Sequence, residues 1–192
     1  MSRTKEYDRE TVLQKAVRVF WAHGLAGTSM AQIVKATGLN TASMYQEFGR
    51  KEDFYCAVLD TAYQIIYAPM LEPMRRQPGL VALKLYLGKM AEYACAKDYC
   101  GCIYLNNLAG RNQVPEPVLR KVDELVRQIH QLLENCITAA QAQGDLPAGR
   151  DPRALAAYLG CLVEGLTFYG RTARHKAQIP AVIDQALAGL TQ

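Results

Sequence analysis

The sequence has no apolar run long enough to cross a membrane and no signal peptide at its start. A membrane-spanning helix needs about 20 mostly apolar residues, whereas the most apolar stretch here, residues 154–169, carries Glu164 in its middle. The first ten residues, MSRTKEYDRE, are polar and lack the apolar core that a secretory signal requires. We therefore expect a cytoplasmic protein with no membrane partner.

Residues that usually carry catalysis are scarce and scattered. The chain has three histidines (His23, His130 and His175), no glycine-rich phosphate loop and no Gly-x-Ser-x-Gly elbow. An enzyme would need a nucleophile with its base, or a pair of carboxylates, and the sequence offers no such arrangement. We predict that the protein is not an enzyme and needs no cofactor.

Cysteines are too few for a disulfide-stabilised scaffold. The six cysteines should be mostly reduced in the cytosol, and each is expected to pack as a small apolar side chain. A metal site built from Cys95, Cys100 and Cys102 with His130 or Cys136 is a weaker alternative, because the spacing is not that of a zinc cage. We predict no metal.

The charges that are present are divided unevenly along a chain that can bury a sizeable core. Apolar residues make up 50% of the sequence and charged residues 21%. Residues 1–51 carry eight Lys or Arg against four acids, and subtracting these from the totals of 22 and 18 leaves 14 of each for residues 52–192. The excess of +4 therefore lies in the first quarter, which is typical of a protein that contacts nucleic-acid phosphates at one end.

Residues 28–51 predict two short helices that meet at a tight turn. Thr28 and Ser29 offer side-chain oxygens ahead of an apolar-periodic run, which is the pattern of an N-terminal cap. Gly38 ends that run, and either Asn40 or Thr41 can cap the next helix. Two helices of this length, joined through a glycine-containing turn, are the helix-turn-helix arrangement that enters a DNA major groove.

The rest of the sequence also predicts helices. A first helix, with Asp8 as its predicted cap, runs from about Asp8 to His23, and a fourth runs from Lys51 to a break at Pro69. Residues 69–79 contain three prolines and predict a connector of irregular or broken helix. Further helices are predicted over residues 80–97, 102–110, 116–143, 151–176 and 180–190. The predicted fold class is all-α, with about nine helices.

The helix over residues 154–169 is apolar or small on nearly every side and must be covered on every side. One face can pack within its own domain, and the other most simply meets a second copy, which a helix-turn-helix protein uses to bind DNA. The alternative is a central helix buried in one subunit. The predicted dimer contacts are Leu155, Tyr158, Leu159, Leu162 and Leu166.

A continuous series of motifs covers about residues 8–60. It consists of Phe20-Trp-Ala-His-Gly24, Gly27-Thr-Ser-Met-Ala-Gln-Ile-Val, Thr37-Gly38-Leu39-Asn40, Ser43-Met-Tyr45, Phe48-Gly49 and Lys51-Glu52. This series resembles the N-terminal domain of TetR-family transcriptional repressors. The resemblance implies a three-helix DNA-binding domain in residues 1–52 and a helical ligand-binding and dimerisation domain in residues 53–192. It also implies a homodimer that binds a palindromic operator in double-stranded DNA and is released by a small molecule.

The resemblance also implies roles for individual residues. The recognition helix would be about Asn40–Phe48, with its leading end toward base edges, while Tyr45 and Lys51 match residues that contact phosphate. The predicted DNA-binding residues are Thr28, Ser29, Asn40, Thr41, Ala42, Ser43, Tyr45 and Lys51. Because most of these side chains are short, we expect DNA shape to supply much of the sequence preference.

Aromatic and methionine side chains of the middle helices are the candidate effector contacts, and they suit an apolar or aromatic molecule with a few hydroxyls to orient it. The predicted set is Tyr63, Tyr67, Met70, Met74, Tyr86, Met90, Tyr93, Tyr104, His130 and Tyr169, together with Cys102. A regulator or activator that needs no effector is the alternative to a ligand-released repressor.

Cys102 follows a glycine at the start of a predicted helix, where the helix N-terminal field would favour a thiolate. Some TetR relatives have a similar Gly-Cys at this point and sense electrophiles or oxidants through it. We therefore expect Cys102, with Cys100 or Cys95, to act as an electrophile or redox sensor. An inert packed thiol is the alternative.

Overall fold

The computed structural model describes residues 7–191, apart from the side chains of residues 109–111 and 173–174. Over this range the chain forms α-helices, a π-helical segment, a 3-10 helix and loops, and no strand, which confirms the predicted all-α fold. The α-helices are α1 (Arg9–Gly27), α2 (Met30–Thr37), α3 (Thr41–Phe48), α4 (Lys51–Ala62), α5 (Ala68–Arg76), α6 (Leu80–Cys95), α7 (Glu116–Ala142), α8 (Pro152–Tyr169), α9 (Ala173–Lys176) and α10 (Ile179–Thr191). Arg3 and Lys5, two residues of the basic excess, lie outside the described residues.

The helices differ from the prediction at three places. The fourth helix was predicted to reach a break at Pro69, whereas α4 ends at Ala62 and α5 contains Pro69. The helix predicted at residues 102–110 is a 3-10 helix over Leu105–Gln113. The helix predicted to reach residue 176 stops at Tyr169 and is followed by the short α9. A Cβ at Gly170 would lie 2.7 Å from the Ala94 carbonyl oxygen, so α8 ends in a close approach that only glycine permits.

Prolines explain why the chain between α4 and α6 is irregular yet helical. Pro69 has no N–H for the Ile65 carbonyl, and its ring would clash with that oxygen in a regular helix. The π-helical segment Tyr63–Tyr67 precedes it and absorbs the irregularity. Pro73 in turn leaves the Pro69 carbonyl without its helical donor, and Lys89 Nζ donates to that oxygen at 3.3 Å. The orphaned carbonyl is thereby satisfied.

The chain packs as two compact units. The first contains the described residues up to Ile66 together with Ile103–Val122, and the second contains Tyr67–Cys102 and the described residues from Asp123 onward. The predicted boundary between residues 52 and 53 is of a different kind, because it separates a DNA-binding part from an effector-binding part. It stays a prediction.

An aromatic cluster forms the core of the first unit. The Phe20 ring centroid lies 5.9 Å from that of Phe54 and 4.8 Å from that of Tyr55, and Phe48 packs on Phe54 at 4.7 Å. Asn107 belongs to the segment Ile103–Val122, which is part of the same unit. Its Nδ2 donates to the Tyr55 hydroxyl at 3.0 Å and so holds this segment against α4. The cluster fixes α1 and α3 against α4, which sets the angle at which α3 is presented.

In the second unit, α6 packs against α5, α8 and α10. The core of this unit includes aliphatic side chains that are nearly inaccessible, among them Leu83, Leu87, Leu159, Val163 and Ile183. Within residues 7–191, no helix combines the length and the apolar character needed to span a bilayer.

Candidate functional site

The first helix is set up by a cap at one end and a glycine kink at the other. Asp8 accepts the backbone N–H of Thr11 at 2.8 Å and caps α1 as predicted. The backbone leaves helical geometry at Gly24, whose φ is +69°. Thr28 is 1% exposed, and its hydroxyl donates to the Gly24 carbonyl at 2.6 Å. The Thr28 side chain therefore holds the junction of α1 and α2, and any phosphate contact would come from its backbone.

The second helix begins with a reciprocal capping box. The N–H of Gln32 donates to Ser29 Oγ at 3.2 Å, and the N–H of Ser29 donates to Gln32 Oε1 at 2.7 Å. Ser29 is exposed, so the positive end of the helix dipole meets solvent at this point. Gln32 was not among the residues predicted to cap this helix, although a Ser followed three residues later by Gln is a recognisable capping box.

The third helix follows a left-handed turn at Gly38, whose φ is +76°. Of the two possible caps, the structure uses Asn40: its Oδ1 accepts the N–H of Ser43 at 2.8 Å. The carboxamide oxygen of Asn40 is therefore occupied in holding the helix. Thr41 is the first helical residue and is exposed.

One face of α3 is buried and the other is open. Met44 is fully buried and Phe48 is 9% exposed, whereas Tyr45 is 48% exposed. Ala42 is exposed as well, and Gln46, one turn farther along, lies on the same open face. Gln46 was missed by the sequence analysis. Its i+4 spacing from Ala42 could have identified it, and its side chain can donate and accept hydrogen bonds at a base edge.

The single acid of α3, Glu47, is turned toward α1. Glu47 Oε2 accepts the Tyr7 hydroxyl at 3.0 Å, and Glu47 Oε1 lies 3.5 Å from Arg9 Nε. The Arg9 guanidinium also lies 5.1 Å above the Phe48 ring. The Glu47 side chain is only 14% exposed. Its negative charge is thus paired and kept from the surface that would approach phosphates.

Basic residues stand where α3 passes into α4. Gly49, with φ +80°, makes the turn, and the N–H of Arg50 donates to Asp53 Oδ2 at 3.0 Å. Lys51 begins α4 and is half-buried, while Arg50 is exposed. Arg50 was not among the predicted contacts, although it adjoins Lys51 in the sequence.

The predicted effector contacts divide between the two units. Tyr63 and Tyr104 belong to the first unit, and the others belong to the second. The Tyr104 hydroxyl donates to the Leu59 carbonyl at 2.7 Å, which gives this residue a structural role. The Tyr169 ring is 39% exposed and stacks on His175 with a centroid separation of 4.2 Å. That all of these residues contact one effector stays a prediction.

Cys102 lies in a buried cluster of tyrosines. Its sulfur is 3.1 Å from the Tyr67 hydroxyl, and the residue is 4% exposed. Burial, and then the charge that the Cys102 sulfur would carry as a thiolate, raise the pKa of Tyr93 and Tyr99. The helix predicted to begin at Cys102 begins three residues later, so the thiol is not in its first turn. The sensor role of Cys102 stays a prediction.

His130 meets a residue that the prediction did not include. His130 Nε2 on α7 lies 3.4 Å from Glu164 Oε1 on α8. Gly160 on α8 has no side chain because a Cβ there would clash with the His130 ring. Glu164 could have been noticed as the only charge inside the apolar helix. Across the described part of the chain, no three His, Cys, Asp or Glu side chains form a group that could hold a metal.

Two pockets are described in the second unit, and neither includes a predicted effector contact. One has a volume of about 600 Å³ and lies between α8 and α10. The other, of about 470 Å³, lies beside the first turn of α6. The first is lined in part by Leu155 and Tyr158, which belong to the predicted dimer contacts.

The predicted dimer contacts on α8 point in two directions. Leu155, Leu159 and Leu166 are at most 6% exposed within their own chain. Tyr158, by contrast, is 50% exposed and Leu162 is half-buried. The outward face continues through residues that the prediction left out, which follow Tyr158 at helical spacing: Cys161, Gly165 and Phe168. An exposed apolar face of this kind is what a partner helix would cover.

Family comparisons cover both parts of the chain. Residues 12–58 match the model of bacterial regulatory proteins of the tetR family, and residues 80–186 match the tetracyclin repressor-like C-terminal domain. The chain is 30% identical over 172 residues to the HTH-type transcriptional repressor ComR of Escherichia coli, covering 88% of this chain and 82% of that protein.

Solved structures show the same fold. A TetR-family regulator from Agrobacterium tumefaciens superposes with a TM-score of 0.85 at 23% identity, covering 95% of this chain and 97% of that one. A cysteine mutant of the TetR-family regulator CifR, solved with 26-base-pair operator DNA, superposes with a TM-score of 0.78 at 22% identity, covering 97% and 98%. The matches to both family models and to ComR show that the chain belongs to the TetR family of DNA-binding transcriptional regulators.

Proposed function

We propose that the protein is a cytoplasmic repressor that binds a palindromic operator as a homodimer and is released by a small apolar or electrophilic effector. The observation that carries the proposal is the open face of α3, on which Thr41, Ala42 and Tyr45 are exposed. The acid of that helix is paired with α1, and Lys51 follows at the start of α4. ComR, with 30% identity, is a repressor, which supports repression over activation.

The outward face of α8 supports the homodimer. Tyr158 and Phe168 expose about half of their surfaces, at 50% and 47%, and a second copy would bury them. Two recognition helices must lie about 34–36 Å apart to enter successive major grooves. An effector that binds the DNA-free state better than the DNA-bound state would release the operator.

DNA binding is tested with an operator selected from random duplexes and measured by fluorescence anisotropy at several salt concentrations. Lys51→Ala should weaken binding and lower the slope of log affinity against log salt by about 1, because one phosphate contact is lost. Tyr45→Ala should also weaken binding. Lys84→Ala, an exposed lysine on α6, is the control and should bind normally. An equal loss in all three variants would contradict the proposed interface.

Effector release is tested by titrating the protein–operator complex with quinones and aldehydes. Addition of such an electrophile would form a bond to the Cys102 sulfur while the thiol proton leaves. Cys102→Ser should abolish release, and Cys161→Ser, which removes an exposed thiol, should retain it. Unchanged release in Cys102→Ser would remove the sensor. Operator binding that is sensitive to salt but to no added molecule would favour an effector-independent regulator.

A further inference from the structure

Two buried polar atoms of the second unit, one on α6 and one on α7, have no hydrogen-bond partner among the described residues, and a carboxylate of α8 lies beside the second. His130 Nε2 lies 3.4 Å from Glu164 Oε1, but the two atoms are not oriented as a hydrogen bond, and this nitrogen is buried without a partner. The Tyr86 hydroxyl is also buried without a partner, on a residue that is 1% exposed. A buried polar atom left unpaired costs about 1–3 kcal/mol. These two atoms are therefore candidate contacts for a ligand.

The position of His130 is enforced by its surroundings. The imidazole occupies the space in which any side chain at position 160 would start, because a Cβ on Gly160 would clash with the ring. Glu164 is one turn from Gly160 on the same helix, so it faces the same imidazole. The pair is thus set by the close approach of the His130 ring to Gly160 on α8.

Tyr86 lies on α6, which packs against α8, the helix that carries Glu164. Burial raises the pKa of Tyr86, and the negative charges of a Cys102 thiolate and of Glu164 raise it further. The Tyr86 phenol therefore stays neutral and keeps its proton. In the described part of the chain, the only ion-pair partner of Glu164 is His130, which is charged only when protonated. The carboxylate thus has no permanent counter-ion.

We propose that Glu164, His130 and Tyr86 bind the ammonium group of an apolar amine, and that such an amine is the effector. This proposal rests on the proposed function, since it names the chemical class of the molecule that releases the operator. One N–H of the ammonium would donate to Glu164 Oε1, a second to His130 Nε2 and a third to the Tyr86 oxygen. The aromatic rings around Cys102 would receive the apolar part of the amine.

The choice of a cation follows from what the site lacks. An anion would be repelled by Glu164, because the site offers no permanent positive charge in the described residues. A neutral alcohol would satisfy one polar atom but leave the carboxylate uncompensated. An ammonium group satisfies all three side chains and neutralises the charge.

The proposal is tested with three molecules that share one ring system: 1-naphthalenemethylamine, 1-naphthalenemethanol and 1-naphthoic acid. At neutral pH these carry charges of about +1, 0 and −1, as ordinary amine and carboxylic acid pKa values require. Isothermal titration of the full-length protein should show the amine binding at least about tenfold more tightly than the alcohol, as expected when a charge-assisted bond is added. Equal or weaker binding of the amine would overturn the proposal.

Two variants locate the site. Glu164→Gln should lower the affinity for the amine by about tenfold and leave that for the alcohol unchanged. Tyr86→Phe should lower the affinity for the amine by about three- to tenfold while its melting temperature stays equal or rises, because an unpaired buried hydroxyl is removed. Glu92→Gln, on the exposed side of α6, is the control and should behave as the natural protein. A uniform loss in all three variants would overturn the assignment.

Operator release separates this proposal from the broader one. If the amine releases the operator from the natural protein but not from Glu164→Gln, both proposals stand. If the alcohol or the acid releases the operator and the amine does not, the protein is effector-responsive but the ammonium site is wrong. If none of the three binds, the ammonium site is wrong, while operator binding by the same protein still tests the DNA interface.

Discussion

Polar side chains have opposite kinds of partner in the N-terminal helices α1–α3 and in the α6–α8 region. In the first, Ser29, Asn40 and Asp8 each satisfy backbone amides within three residues in the sequence and remain at the surface. In the second, Tyr86, His130 and Glu164 come from three helices, and two of their polar atoms are buried unpaired. The first arrangement stabilises a surface whether or not DNA is present, whereas the second leaves polar atoms that a ligand can pair.

The same contrast applies to charge. The acid of α3 is paired with Arg9, which has a permanent charge, so the proposed DNA-binding surface keeps its basic character. The acid of α8 is paired with an imidazole, which is charged only when it is protonated. A permanent counter-ion suits a surface that is proposed to bind phosphates. The lack of a permanent counter-ion suits a site that is proposed to bind a cation.

The largest expected effect tests whether the first unit depends on its aromatic core. Phe54 is fully buried and packs on Phe20 and Phe48. Phe54→Ala should lower the free energy of unfolding by about 3–5 kcal/mol, because it leaves a cavity among rings. Val81→Ala, at a residue that is 72% exposed, should change it by less than about 0.5 kcal/mol. Urea denaturation measures both. Similar values for the two variants would show that the ring cluster is not what holds the unit together.

A smaller effect is expected at the packed glycine of the second unit. Gly160→Ala should lower the free energy of unfolding by about 1–3 kcal/mol, because the His130 ring and α8 must move apart. Gly88→Ala, in an open position on α6, should raise it by about 0.5–1 kcal/mol through helix propensity. Thermal and urea unfolding distinguish the two. A stabilising Gly160→Ala would mean that His130 is free to leave its position.

The smallest effect separates capping from base recognition at Asn40. Asn40→Ala should lower the free energy of unfolding by about 1 kcal/mol, because α3 loses its cap. Asn40→Ser retains a capping oxygen and should restore stability. Operator binding is measured on the same variants. If Asn40→Ser is stable but binds the operator weakly, the Asn40 amide also contacts DNA; if it binds normally, Asn40 acts through the cap.

The sequence was most informative where structure depends on neighbouring residues. The caps at Asp8 and Ser29 and the turn at Gly38 were readable because a cap is made within three residues. Helix boundaries were harder at Pro69 and Gly170, since a π-helical segment and a close approach to α6 depend on distant packing. The choice between Asn40 and Thr41 as the cap also required coordinates.

The resemblance of residues 8–60 to a family of DNA-binding regulators rests on their motifs, and the family models and ComR showed the membership. Composition and periodicity by themselves determined the all-α class and the basic first quarter. These follow from local periodicity, capping chemistry and charge, which are written in consecutive residues. Tertiary structure alone decided that Leu155, Leu159 and Leu166 face inward while Tyr158 and Phe168 face outward. It also brought His130 against Glu164 and left the Tyr86 hydroxyl unpaired, because the partners of a buried side chain come from helices far apart in the sequence.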